Sequence, residues 1–193
     1  MNNPKREQIF NIPNLFSISR ILLIPVFLYM ILNRNNIGAL IIFFIAASTD
    51  MLDGMAARLL DQKTKLGALL DPVGDKALML TVYPILSISS IDLVNTIPSW
   101  LTIAVICRDL YIVTGAFILF KLIGQKSFPP TSLGKYCTAL QMGVLLFVLL
   151  FNVLTSKPSF LIWLYLLTLI LTLLSGLHYT YIGITLFKKK QLT

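Results

Sequence analysis

Residues 50–75 read DMLDGMAARLLDQKTKLGALLDPVGD, and Asp50, Asp53, Asp71 and Asp75 stand there at the ends of two apolar segments. These are four of the eight acidic residues in the chain. An ionised carboxylate in or near hydrocarbon is costly, so such residues face a protein interior or a watery cavity and mark function. On a helix, Asp50, Asp53, Gly54, Ala57 and Arg58 fall within one arc of about 140°. Gly67, Asp71, Gly74 and Asp75 share an arc of about 100° on the same assumption. Pro72 lacks a backbone donor and disfavours helix for Asp71, which predicts a third span starting at Asp71-Pro72.

The rest of the chain gives these carboxylates their setting. Apolar residues make up 56% of the 193 and charged residues 12%, half the roughly 25% charged share of a soluble domain. Apolar runs predict spans near 14–32, 37–57, 72–90, 97–120, 133–153 and 159–187. That is an all-α integral membrane fold of six transmembrane helices in a single domain over 1–193. Before the first span, Arg6 to Phe10 mixes charge with Ile and Phe and reads as an interfacial segment, and Pro13 marks the turn into the bilayer. The opening MNNPKREQIF is polar and no small-residue cleavage site follows, so no removable leader is expected.

Six spans put both termini on one side. One alternate set of span ends carries Lys5, Arg6, Arg58, Lys63, Lys65, Lys121, Lys126, Lys135, Lys188, Lys189 and Lys190, and the other only Arg34 and Lys157. The positive-inside rule then predicts a multi-pass cell-membrane protein with both termini and the carboxylates cytoplasmic, the aspartates lying at the cytoplasmic ends of spans 2 and 3. The net charge of +8 is scattered over loops between apolar segments. Lipid headgroups, not nucleic acid, are the anions it suits. Cys107 and Cys137 fall in or beside apolar stretches and read as small packing residues, and His178 beside Tyr179 reads as a helix-interface residue.

Four converging carboxylates repel one another and raise each other's pKa values; Arg58 and Lys76 alone do not balance them. A divalent metal does. All-oxygen ligands suit Mg²⁺, Mn²⁺ or Ca²⁺ better than zinc. Gly54, Gly67 and Ala57 would let a diphosphate approach the helix backbones. A cation transporter or channel is the competing class, since intramembrane aspartates can form an ion path. Conduction does not account for small residues at fixed spacing, nor for aspartates at cytoplasmic ends.

The spacing D-x2-D-G-x2-A-R-x8-G-x3-D-x3-D, carried by Asp50, Asp53, Gly54, Ala57, Arg58, Gly67, Asp71 and Asp75, resembles the signature of the CDP-alcohol phosphotransferase (phosphatidyltransferase) family. The resemblance extends to chain length, span number, Asn11-Ile12-Pro13-Asn14 and Arg20 in the first span. It implies two Mg²⁺ or Mn²⁺ ions among Asp50, Asp53, Asp71 and Asp75, with Asp71 the bridging ligand and Asp75 also the general base on the acceptor hydroxyl. It implies a CDP-lipid pocket at Gly54, Ala57, Arg58 and Gly67, with Arg58 on a phosphate, and a homodimer. The implied reaction moves a phosphatidyl group from CDP-diacylglycerol to an alcohol and releases CMP.

Acceptor choice falls to cations in later spans. Arg108, beside Asp109, and Lys135, in the run Ser132 to Thr138, suit an acceptor phosphate. The chain is similar to phosphatidylglycerophosphate synthases, which use glycerol 3-phosphate, and to the cardiolipin synthases sharing their fold, which use phosphatidylglycerol. It departs from the former at two positions. Cys137 replaces the second lysine of their Gly-Lys-x-Lys-Thr, and Asp109 replaces the glutamate of their Arg-Glu. Glycerol 3-phosphate is the expected acceptor and phosphatidylglycerol the alternative.

Overall fold

The computed structural model describes the backbone of residues 12–59, 65–88, 91, 93–123 and 131–191. Within these it describes the side chains of 18–49, 74, 76–88, 91, 93–118, 121 and 131–186. The regular elements are six helices: α1 (Ile12–Leu32), α2 (Asn36–Leu59), α3 (Lys65–Ser87), α4 (Ser99–Ile123), α5 (Ser132–Val153) and α6 (Leu161–Gln191). Each corresponds to one predicted span. The segment 1–11, expected to be interfacial, lies outside the described residues. So do the side chains of Asp50, Asp53, Gly54, Ala57, Arg58, Gly67, Asp71 and Asp75.

The predicted start of the third span is corrected. Helix α3 begins at Lys65, so Asp71 and Pro72 lie inside it, about two turns from its start. Proline inside a helix is a feature of this chain, with Pro25 within α1 and Pro84 within α3. In a membrane bundle, neighbouring helices and local adjustments re-satisfy the backbone groups that proline frees.

Two hairpins close in the same way. At the end of α1 the Asn35 N–H bonds the Met30 carbonyl (2.9 Å) and the Arg34 N–H bonds that of Ile31 (3.1 Å). At the end of α5 the Ser156 N–H bonds Phe151 (3.1 Å) and the Thr155 N–H bonds Asn152 (3.4 Å). Both pairs are the 6→1 and 5→2 bonds of a Schellman stop. Its left-handed residue is usually glycine; here it is Arg34 (φ 59°) and Thr155 (φ 50°). Asn35 then caps α2, its Oδ1 accepting from the Gly38 N–H at 2.9 Å.

All six helices contribute to one core, from Phe27 and Ile31 of α1 through Tyr83 and Leu86 of α3 to Leu161 and Tyr165 of α6. The outer faces are also apolar: Leu22, Phe44, Ile103, Phe117, Trp163 and Leu177 are all exposed. Helices apolar on every face are those of a membrane span or a large protein's core. Among the described residues, Ser99–Ile118, Ser132–Val153 and Leu161–Leu186 are long and apolar enough to cross a membrane. The described apolar parts of the first three helices, Ile18–Leu32, Asn36–Thr49 and Lys76–Ser87, are shorter.

Polar contacts fix helix directions. Lys76 meets Asp109 and Ser87 meets Thr102, so α3 and α4 run antiparallel. Tyr165 bonds the Thr96 carbonyl at the start of α4, Arg108 bonds Ser175, and Tyr111 bonds Thr180. Partner numbers rise together in these three contacts, so α4 and α6 run parallel.

Candidate active site

Helices α3, α4, α5 and α6 bring charge together part-way along the bundle, toward the end where α5 starts. The carboxylate of Asp109 on α4 takes the Lys76 ammonium from α3 at 2.6 Å and the Arg108 guanidinium at 2.7 Å. A second arm of Arg108 donates to Ser175 Oγ on α6 at 2.6 Å, and the guanidinium lies 5.9 Å from the centre of the Tyr179 ring. Asp109 is 3% exposed and Arg108 8%. One carboxylate thus serves two cations in a mostly buried cluster. Among the described residues this leaves one positive charge over, which favours an anion because burial weakens screening.

Lys76, Arg108 and Tyr179 line a cavity of about 440 Å³ whose walls also include Gly134, Lys135 and Thr138. The amino-terminal turn of α5 faces it. Thr131 caps that turn, its Oγ1 accepting from the Gly134 N–H at 3.0 Å, while its own N–H donates to the Tyr179 hydroxyl at 3.3 Å. A Cβ at position 134 would come within 3.0 Å of both Thr131 Oγ1 and the Tyr179 hydroxyl. Glycine therefore lets α5 close on α6, with the partial positive charge of its helix start beside the cavity.

Buried polar residues lie alongside. Gln141 donates to Thr172 Oγ1 at 3.0 Å, and Tyr83 donates to the Gln141 carbonyl at 3.1 Å. Cys137 is fully buried within reach of Thr172. It packs into the core and is not among the residues lining the cavity, so the position where relatives of one branch carry a second lysine presents no cation here.

The two expected acceptor residues, Arg108 and Lys135, lie on the wall of one cavity, Arg108 buried and Lys135 exposed. Tyr179 joins them on the wall, and Ser175 holds Arg108 from behind it, a pair not anticipated from sequence. Their spacing of four places both on one face of α6, a signal available in the sequence. His178, expected at a helix interface, is instead exposed, and Cys107 is exposed too. Physically, neighbouring positions on a helix point about 100° apart, so His178 cannot share the inward direction of Tyr179.

Asp75 immediately precedes Lys76 in α3, and Asp50 and Asp53 lie in the last turns of α2. On the α3 side, the cavity wall therefore includes the residue that follows Asp75. Carboxylates, the side chains at these four positions, are oxygen donors of the kind that hard divalent cations take. Among the described residues no His, Cys, Asp or Glu cluster offers a competing metal site.

The model of one protein family, described as CDP-alcohol phosphatidyltransferase, matches residues 10–174. The chain belongs to that family. An Aquifex aeolicus CDP-diacylglycerol--glycerol-3-phosphate 3-phosphatidyltransferase is 34% identical over 185 residues, covering 93% of this chain and 99% of the relative. The Rattus norvegicus cardiolipin synthase (CMP-forming) is 39% identical over 132 residues, 67% of this chain and 41% of the relative. A provisionally named cardiolipin synthase of Mycobacterium tuberculosis is 36% identical over 135 residues, 69% of this chain; the chain spans 61% of that relative's length. Family and apolar helices together make this chain an integral membrane protein.

Proposed function

We propose that this family member transfers the phosphatidyl group of CDP-diacylglycerol to a hydroxyl of glycerol 3-phosphate, giving phosphatidylglycerophosphate and CMP. The observation that carries the reading is the convergence of Lys76, the neighbour of Asp75, with Arg108 and Lys135 on one cavity. The near full-length likeness to the Aquifex enzyme supports it.

Asp50, Asp53, Asp71 and Asp75 would hold two Mg²⁺ or Mn²⁺ ions, which when bound supply positive charge for the attacking and leaving oxygens of an in-line displacement at phosphorus. Gly54, Ala57 and Gly67 admit the CDP moiety and Arg58 holds one of its phosphates. Arg108 and Lys135 hold the acceptor phosphate, with Lys76 beside them. The acceptor oxygen bonds the phosphatidyl phosphorus, its proton passes to Asp75, and the bond to CMP breaks with the electron pair leaving on CMP. On this reading the site and both termini are cytoplasmic, as the bias in Lys and Arg supports, all six helices span, and the enzyme works as a homodimer.

Phosphatidylglycerol is the second reading. It is favoured by Asp109 in place of glutamate and by Cys137, whose buried thiol leaves the acceptor cavity without a further cation. The test offers purified protein CDP-diacylglycerol and Mg²⁺ or Mn²⁺ with glycerol 3-phosphate, phosphatidylglycerol, inositol phosphate or serine, each separately. CMP release with glycerol 3-phosphate is the expected result. Release with phosphatidylglycerol alone hands the assignment to the second reading, and release with none of the four ends both.

A further inference from the structure

Arg108 borders two hollows. Besides the cationic cavity, it lines a groove of about 540 Å³ between α4 and α6, bounded by Ala104, Cys107, Tyr111, Leu173, Gly176 and Leu177, with Thr172 and Thr180. Both helices contain stretches able to cross a membrane, Ser99–Ile118 and Leu161–Leu186. Cys107, Tyr111, Leu173 and Leu177 are exposed, so the groove opens on the lipid-facing side. The Tyr111–Thr180 hydrogen bond at 2.9 Å ties the two helices together within it.

Three features together specify an occupant. The walls are almost wholly apolar, which suits an aliphatic chain. A Cβ at Gly176 would meet nothing within 4 Å, so real space lies over that glycine. The guanidinium of Arg108 is buried and spends Nη1 on Asp109 and Nη2 on Ser175, leaving its Nε buried without a hydrogen-bond partner among the described residues. With Lys76 sharing the same carboxylate, the cluster holds two cations against one anion among the described residues. A cation at the side of an apolar groove complements a molecule with an anionic phosphate and a long alkyl chain.

We infer that the α4–α6 groove binds one anionic glycerophospholipid, an acyl chain lying over Gly176 and the phosphate drawn to Arg108. This site uses none of the residues proposed for metal and CDP-lipid but shares Arg108 with the acceptor cavity, so it rests on that guanidinium facing both hollows.

Binding is read without catalysis, on the full chain in detergent micelles. Cys107 lies in the groove wall, so its alkylation by a lipophilic maleimide, followed by peptide mass spectrometry, reports occupancy. Phosphatidylglycerol should slow labelling of Cys107 at a roughly tenfold lower mole fraction than phosphatidylcholine, the margin of one charge-assisted contact. Arg108→Gln should erase that preference while leaving protection by either lipid at high mole fraction. Gly176→Phe fills open space and does not crowd the protein, and it should remove one retained phosphatidylglycerol in native mass spectrometry. Equal protection by the two lipids, unchanged retention in Gly176→Phe, or shielding of Cys107 that rises with protein concentration in the absence of lipid overturns the inference. The last outcome would mean a second copy of the chain covers this face.

Discussion

Asp109 is the residue on which the cavity's geometry turns, since its two oxygens hold cations from two helices. Removing one partner of a buried ionic cluster leaves charge uncompensated and costs about 3–5 kcal/mol in the strongest cases; Lys76, with 31% of its side chain exposed, regains part of this from water. Asp109→Asn should therefore raise the KM of the acceptor roughly tenfold or more while changing that of CDP-diacylglycerol far less, with partial recovery in Asp109→Glu. An equal rise in both would assign Asp109 to general stability. Arg108 and Lys135 should likewise differ. A charge-assisted bond is worth ~1.5–3 kcal/mol when buried, whereas exposed pairs yield about 0–1 kcal/mol. In steady-state kinetics Arg108→Ala should raise acceptor KM clearly more than Lys135→Ala; the reverse order would show that the buried guanidinium is structural. For the aspartates, Asp53→Asn or Asp71→Asn should abolish CMP release while the protein still elutes as folded from a sizing column, and EDTA should do so reversibly. Near-normal turnover in either variant would remove the two-metal reading.

At the level of helices, much was legible because each span is a long apolar run with polar interruptions, and the helix ends at Leu32 and Val153 coincide with predicted ones. The start of α3 was not. Local sterics at Pro72 argue for a helix start, yet in a membrane bundle surrounding helices override that preference, and the helix extends back to Lys65. The aspartate signature was readable because all eight of its residues lie in one contiguous stretch. The partners of Arg108 divide the same way: Asp109 is adjacent in sequence, whereas Lys76 and Ser175 come from other helices at separations no local pattern encodes. The hairpin at Thr155 offers a stability test at this scale. A non-glycine residue with positive φ is strained, so Thr155→Gly should raise the melting temperature modestly, by an effect of about 0.5–1 kcal/mol. A fall would mean that the Thr155 hydroxyl, bonded to the Leu154 carbonyl at 2.8 Å, outweighs the strain.

Across the whole molecule, polarity is segregated by depth. The charged cluster lies part-way along, toward one end, and the other end is closed by amide contacts: Asn152 accepts from the Asn95 N–H at 2.6 Å and donates to its carbonyl at 2.9 Å, while Asn95 reaches the Ser156 carbonyl at 2.7 Å. The tight turns lie at this second end. Only residues 33–35 separate α1 from α2, and 154–160 separate α5 from α6. In the proposed orientation these turns are all that the first and last helix pairs must carry across the bilayer during synthesis, and the charges they hold are Arg34 and Lys157. Each pair can then enter the membrane as a prefolded hairpin, its backbone already satisfied at the turn. In that orientation the Schellman stops that look like mere helix endings would ease biogenesis, sparing the insertion machinery the translocation of a long polar loop.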